Sequence, residues 1–196
     1  MKKVILLIIT LTVIASSASC RWTASYFRKY SNKYLGISFP YQLFIAQGWA
    51  ESKCRLSAIS DDGVGSVGVG QITWRWWKNY LKPRGVPNLA TIDRQTKAQV
   101  LIMKKLIKEA KQKTPCDRLW IPFQAYNGGW LVAKEVNRAE SCNHDIAEMY
   151  CRRRTVWFQN GTHRNACDIN YRYSEHIYRV ATKWYNYIET WDWKYW

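Results

Sequence analysis

The chain has 196 residues, with 30 Lys and Arg against 14 Asp and Glu, giving a formal net charge of +16. That length allows one hydrophobic core and argues against a second folded domain. The charge directs attention to polyanions, whether nucleic acid, acidic membrane or cell-wall polymer; its plain alternative is a surface that is merely well solvated.

The first element is expected to lie outside the fold. Lys2 and Lys3 precede an almost unbroken apolar run, Val4 to Ile14, and then the small residues Ala15 to Ser19. This is the three-part layout of a secretory signal. The run is short for a spanning helix, which needs about 20 residues. Residues 1–19 are therefore read as a signal peptide, with a retained N-terminal membrane anchor as the alternative, and 20–196 as a single domain in the periplasm or outside the cell. Export argues against nucleic acid. Lipid attachment at Cys20 would normally want an aliphatic residue where Ser17 stands.

Six cysteines, Cys20, Cys54, Cys116, Cys142, Cys151 and Cys167, suit disulfides in an exported chain. Their pairing is not readable, but the even count favours Cys20 inside the framework. A zinc site built from Cys142, His144, Cys151, His163 and Cys167 is the rival, and no pair among them has tight two-residue spacing. No metal and no cofactor is expected.

The mature chain has no internal repeat and no low-complexity linker, and helices dominate. Trp22, Tyr26, Tyr30 and Tyr34 recur every four residues and predict a helix over 21–34, ended by Gly36. Ser38 and Pro40 give start signals for the next helix, whose apolar positions are Leu43, Ala46, Trp49 and Ala50, with Glu51 in the last turn. From Ser57 to Gly70 four glycines fall within eight residues, which predicts a shaped loop or short hairpin. An aromatic segment, Ile72 to Leu81, ends at Pro83 to Pro87. Asp93 then caps a helix whose apolar stripe is Val100, Leu101, Met103, Leu106 and Ile107, with lysines opposite through Lys113. Trp120 to Tyr126 reads as a buried helical turn opened by Gly128 and Gly129, and Val180 to Ile188 as a final helix before the aromatic tail "ETWDWKYW".

Glu51 is the residue out of place. It closes an apolar helix beside Trp49 and Ala50, at the negative end of the dipole. Partial burial and the dipole both disfavour the anion, so its carboxyl is expected to hold a proton near neutrality and to serve as a general acid. Taken alone, a solvated glutamate on a helix end explains it as well.

The flanking motifs change that balance. "ESKCRLSAIS" from Glu51, "GVGQI" from Gly68 and "AYNGG" from Ala125 occur in the order seen in lytic transglycosylases and goose-type lysozymes, which the chain resembles over about Pro40 to Tyr185. The resemblance implies a mainly α, lysozyme-like fold with a groove for the glycan strands of peptidoglycan and a small Gly-rich loop or β-hairpin. It implies that Glu51 protonates the oxygen linking N-acetylmuramic acid to N-acetylglucosamine, that the sugar acetamide assists, and that the same Glu then takes the C6 hydroxyl proton as a 1,6-anhydro ring closes. A lysozyme-type hydrolase of the same bond is the alternative.

Matched position by position, Ser60 stands nine residues after Glu51 and is expected to bind the acetamide or hold the acid. Gln71, Tyr126 and Asn127 fall on the sugar-binding positions, and Tyr178, ahead of Tyr173 and Tyr171, is the candidate for a tyrosine on a late helix. Each also has an ordinary reading, as turn former, surface polar residue, core aromatic or helix-ending residue. Two departures stand out: Gly70 replaces a branched residue or Met before the glutamine, and the interval from Glu51 to Gln71 is longer than usual. The expected molecule is a monomeric enzyme of an endolysin, a secretion system or bacterial wall turnover, with anionic envelope polymers or membrane as further partners. A different class remains open: a non-enzymatic cationic wall or membrane binder.

Overall fold

The computed structural model describes residues 20–60, 63–111, 120–129, 138–139, 146, 149–151, 155–157 and 161–185. The signal segment, Lys113, Cys116, Cys142, His144, Ile188 and the aromatic tail lie outside the described residues. The described chain is mainly helical, with two short antiparallel two-stranded ribbons. It forms two compact units, one up to Val100 and one from Leu101.

The first unit begins with helix α1, Ala24–Tyr34. Its inward face is Thr23, Phe27, Tyr30 and Ser31, while Trp22 is 44% exposed. The expected stripe of Trp22, Tyr26, Tyr30 and Tyr34 is thus corrected. A strict four-residue step drifts around a 3.6-residue helix, by about 120° over three steps, so those positions cannot share one face. Phe27 stacks on Phe44 at 6.0 Å, and Phe44 stacks on Phe39 at 5.1 Å.

Helix α2, Gln42–Ser52, starts two residues after Pro40 and has no side-chain cap. Ser38 is exposed. The entry is tightened instead by three-residue bonds, Leu43 N–H to Pro40 O and Phe44 N–H to Tyr41 O. Every residue from Gln42 to Gly48 is buried, so α2 is enclosed all round through most of its length, where a one-sided stripe was expected.

Strands β1, Ser66–Val67, and β2, Ile72–Thr73, form the hairpin expected in the glycine-rich segment, and Ile59 bridges to Val67. Helix α3, Trp74–Leu81, passes into a 3-10 turn, Lys82–Arg84.

Helix α4, Ile92–Lys111, starts one residue before Asp93, which is not its cap. Thr91 takes that place, accepting from Arg94 N–H at its hydroxyl (3.4 Å) and from Gln95 N–H at its carbonyl (2.9 Å). Asp93 reaches Lys29 of α1 at 3.0 Å. The Tyr30 hydroxyl, and then the Lys29 ammonium, hold the Asp93 carboxyl below its ordinary value. The stripe from Val100 to Ile107 is buried as expected, with Lys104 and Lys108 exposed and Lys105 paired to Glu109.

The second unit pairs helix α5, Trp120–Gly128, with helix α6, Ala166–Trp184. Phe123 meets Tyr178 edge-on at 6.0 Å, and Gln124 Nε2 donates to Ser174 Oγ at 3.2 Å. The last helix among the described residues begins at Ala166, not at Val180. Its buried face includes Asn170 and Ser174, whose polarity hides the helical period.

A second ribbon, β3 Thr155–Trp157 with β4 His163–Asn165, precedes α6 and was not expected. Its sequence signal is the Asn160-Gly161 dipeptide, which favours a tight hairpin turn. Asn165 caps α6, accepting from Cys167 N–H at 2.9 Å. No helix among the described residues is long and apolar enough to cross a membrane.

Candidate functional site

Glu51 lies half-buried in the last turn of α2. Lys53 and Cys54 are both left-handed, with φ 57° and 59°, and the third such non-glycine residue among the described residues is Gln71, at 46°. All three belong to the segment that carries the first two motifs. L-residues avoid this region, and where they occupy it the surroundings must hold them there.

Several contacts supply that hold. Lys53 N–H bonds to Trp49 O at 2.9 Å and Cys54 N–H to Gly48 O at 3.0 Å, closing the helix. Cys54 is joined to Cys20, with Cα atoms 5.4 Å apart. The same bond engages the Cys20 sulfur that lipid attachment would need. Lys53 Nζ rests 3.3 Å from the centroid of the Trp49 ring, and burial lowers the Lys53 pKa.

The glycine-rich ribbon is fastened to this helix end. Ser52 Oγ donates to Val69 O at 2.9 Å and accepts from Arg55 N–H at 3.1 Å. A Cβ at Gly48 would stand 2.8 Å from Val69 Cγ1, so glycine permits the close approach. From α4, the buried Gln95 accepts from Val69 N–H at 2.8 Å and donates to Leu89 O at 2.8 Å and Leu56 O at 3.1 Å. A side chain on Gly68 would overlap Gln95. Gln99 Nε2 donates to Gln47 Oε1 at 2.8 Å inside the same core.

Ser60 and Gln71 both lie on this ribbon and both serve it. Ser60 Oγ accepts from Ser66 N–H at 2.9 Å. Gln71 Nε2 donates to Gly68 O at 3.0 Å and Ala58 O at 3.4 Å. These bonds leave unused the Ser60 hydroxyl hydrogen and the Gln71 carbonyl oxygen. The close approach of Gly48 to Val69 and the bonds of Gln95 were not read from the sequence. The signal for Gln95 and Gln99 was their i, i+4 spacing on the buried side of α4.

The remaining sequence candidates belong to the second unit. Tyr126 is half-buried on α5, and Asn127, exposed beside it, donates from Nδ2 to Asn170 Oδ1 at 2.9 Å. Tyr178 is buried on α6 against Phe123. Cys151 and Cys167 are bonded to each other, with Cα atoms 6.0 Å apart, which takes two sulfurs from the zinc alternative. Among the described residues no three His, Cys, Asp or Glu side chains gather to hold a metal. The two disulfides among the described residues suit an oxidising compartment.

No family model, curated protein or solved structure matches the chain.

Proposed function

We propose that this chain cleaves the β-1,4 bond from N-acetylmuramic acid to N-acetylglucosamine in peptidoglycan, on a lysozyme-like fold with a glycan groove, and that Glu51 is its general acid and base. The observation that carries the reading is the Glu51 end of α2. A half-buried carboxylate is followed by two left-handed residues and anchored by a disulfide and by the Ser52 to Val69 bond. Such restraint around one acid is what proton transfer to a fixed oxygen requires. The ordered motifs beginning at Glu51, Gly68 and Ala125 supply the bond class.

In this mechanism Glu51 donates its proton to the glycosidic oxygen as the bond breaks. The acetamide of the muramic residue stabilises the electron-poor carbon, and the Glu51 carboxylate then accepts the C6 hydroxyl proton while the 1,6-anhydro ring forms. Ser60 orients the acetamide through its hydroxyl hydrogen, and Gln71 accepts from a sugar hydroxyl. By the resemblance, Tyr126, Asn127 and Tyr178 are further glycan-binding residues. The enzyme works outside the cytoplasm.

Glu51→Gln removes the proton while keeping shape. Glycan cleavage is expected to fall by at least about 100-fold, the usual weight of a general acid, with the thermal midpoint unchanged. An E51Q variant that degrades peptidoglycan at the wild-type rate would sink the proposal. Mass analysis of the released fragments fixes the product: anhydro ends denote the lyase, reducing ends the hydrolase.

A further inference from the structure

Beside Asn127 a cleft of about 780 Å³ opens between the β3–β4 ribbon and the first turns of α6. Its walls include His163 and Arg164 from β4, and Asp168, Arg172 and Tyr173 from α6. His163, Arg164, Asp168 and Arg172 carry no motif of the resemblance, and the mechanism above uses none of them.

Asp168 and Arg172 are helical neighbours at i, i+4, the spacing that ordinarily pairs opposite charges. Yet the ion pairs found among the described residues are Lys29 with Asp93 and Lys105 with Glu109, both elsewhere. Arg164, Asp168 and Arg172 are all exposed to solvent. Two guanidiniums, with no carboxylate partner among the described residues, and one carboxylate thus face a space of the size that takes a small ligand. The mouth is stiffened by the Cys151–Cys167 disulfide and by the Asn165 cap. Asn127, fixed by Asn170, still presents its carbonyl oxygen.

A pure polyanion would gain nothing from Asp168. A ligand with carboxylates and an ammonium group would use every one of these groups. We propose that this cleft binds the short acidic peptide that peptidoglycan carries on muramic acid, with Arg164 and Arg172 taking its carboxylates and Asp168 its free ammonium. The identity of the ligand rests on the proposed function; the charge pattern that selects it does not. The cleft would direct the enzyme to peptide-bearing glycan.

The test is a calorimetric titration of the full chain with the stem tetrapeptide acetylated at its N-terminal amine, which is an amide in peptidoglycan, so that the diamino residue carries the one ammonium and no cleavage is involved. Arg164→Gln with Arg172→Gln should weaken binding at least about tenfold, since charge-assisted hydrogen bonds are lost, and amidating the peptide carboxylates should weaken it comparably. Asp168→Asn should weaken binding of this peptide but not of a form in which the ammonium of the diamino residue is acetylated as well. No binding by the wild-type chain, equal affinity of the double variant, or displacement of the peptide by equimolar inorganic phosphate overturns the proposal. The rate on peptide-free glycan should be unchanged in the double variant. If the wild-type chain cleaves no glycan at all, the proposed function fails while the titration still decides the cleft.

Discussion

At the scale of single residues, Gln95 ties the glycine-rich ribbon to α4 and to the chain around it. Its one amide reaches three backbone groups, Val69 N–H, Leu89 O and Leu56 O, from a side chain that is 3% exposed. Gln95→Ala leaves those groups buried without it, and each unsatisfied group costs on the order of 1–3 kcal/mol. Water entering the space recovers part of this, so a loss of roughly 2–4 kcal/mol is expected in denaturant unfolding. A loss below about 1 kcal/mol, the level of an ordinary surface substitution, would show that the ribbon holds itself. Glu51, Ser60 and Gln71 stand out in the sequence because their types and spacing are distinctive. Gln95 does not, because a glutamine within an amphipathic helix is common, and only the approach of Val69 gives it a task; Ser52 belongs to the first motif, and the structure adds its bond to Val69.

At the scale of elements, one disulfide spans the pair α1 and α2. Cys20 lies before α1 and Cys54 just beyond α2, a separation of 34 residues, so the bond limits the freedom of both helices in the unfolded chain. Loop-closure entropy for that length amounts to about 3–4 kcal/mol. Replacing both cysteines by serine should lower stability by roughly that amount, and glycan cleavage should fall even under conditions where the variant is fully folded, because the turn after Glu51 is no longer held. Unchanged stability and unchanged activity together would remove the disulfide from the account. The elements were legible where an exposed polar face runs beside the apolar one, as in the later turns of α4, where Leu106 and Ile107 are buried and Lys104 and Lys108 exposed. They were not legible where burial is all-round, as in α2, or where polar residues line the packed face, as Asn170 and Ser174 do in α6. The β3–β4 ribbon escaped because β3 is exposed along its length and shows no alternation.

At the scale of the whole molecule, the +16 charge and the aromatic tail make a case for adhesion that is independent of Glu51. A surface this basic draws the chain to anionic envelopes through long-range attraction, and salt weakens it because the screening length falls from about 10 Å at 0.1 M to about 3 Å at 1 M. Cleavage of a short soluble glycan fragment depends on groups at the site and has no such range. The two activities should therefore separate. Raising the salt from about 0.1 M to about 1 M, or truncating the chain after Tyr185, should release it from isolated envelopes while the rate on soluble fragments stays within about twofold of its starting value, since surface charges beyond a screening length contribute little to a local step. Co-sedimentation with envelopes and a fragment assay, run on the same samples, measure both. Envelope adsorption that persists in the truncated chain at high salt would locate the contact in specific pockets and not in overall charge. Parallel loss of adsorption and fragment cleavage on truncation, accompanied by a lowered thermal midpoint, would mean that the tail is part of the folded core. Adsorption with no cleavage of any glycan would leave the cationic wall binder as the function of the chain.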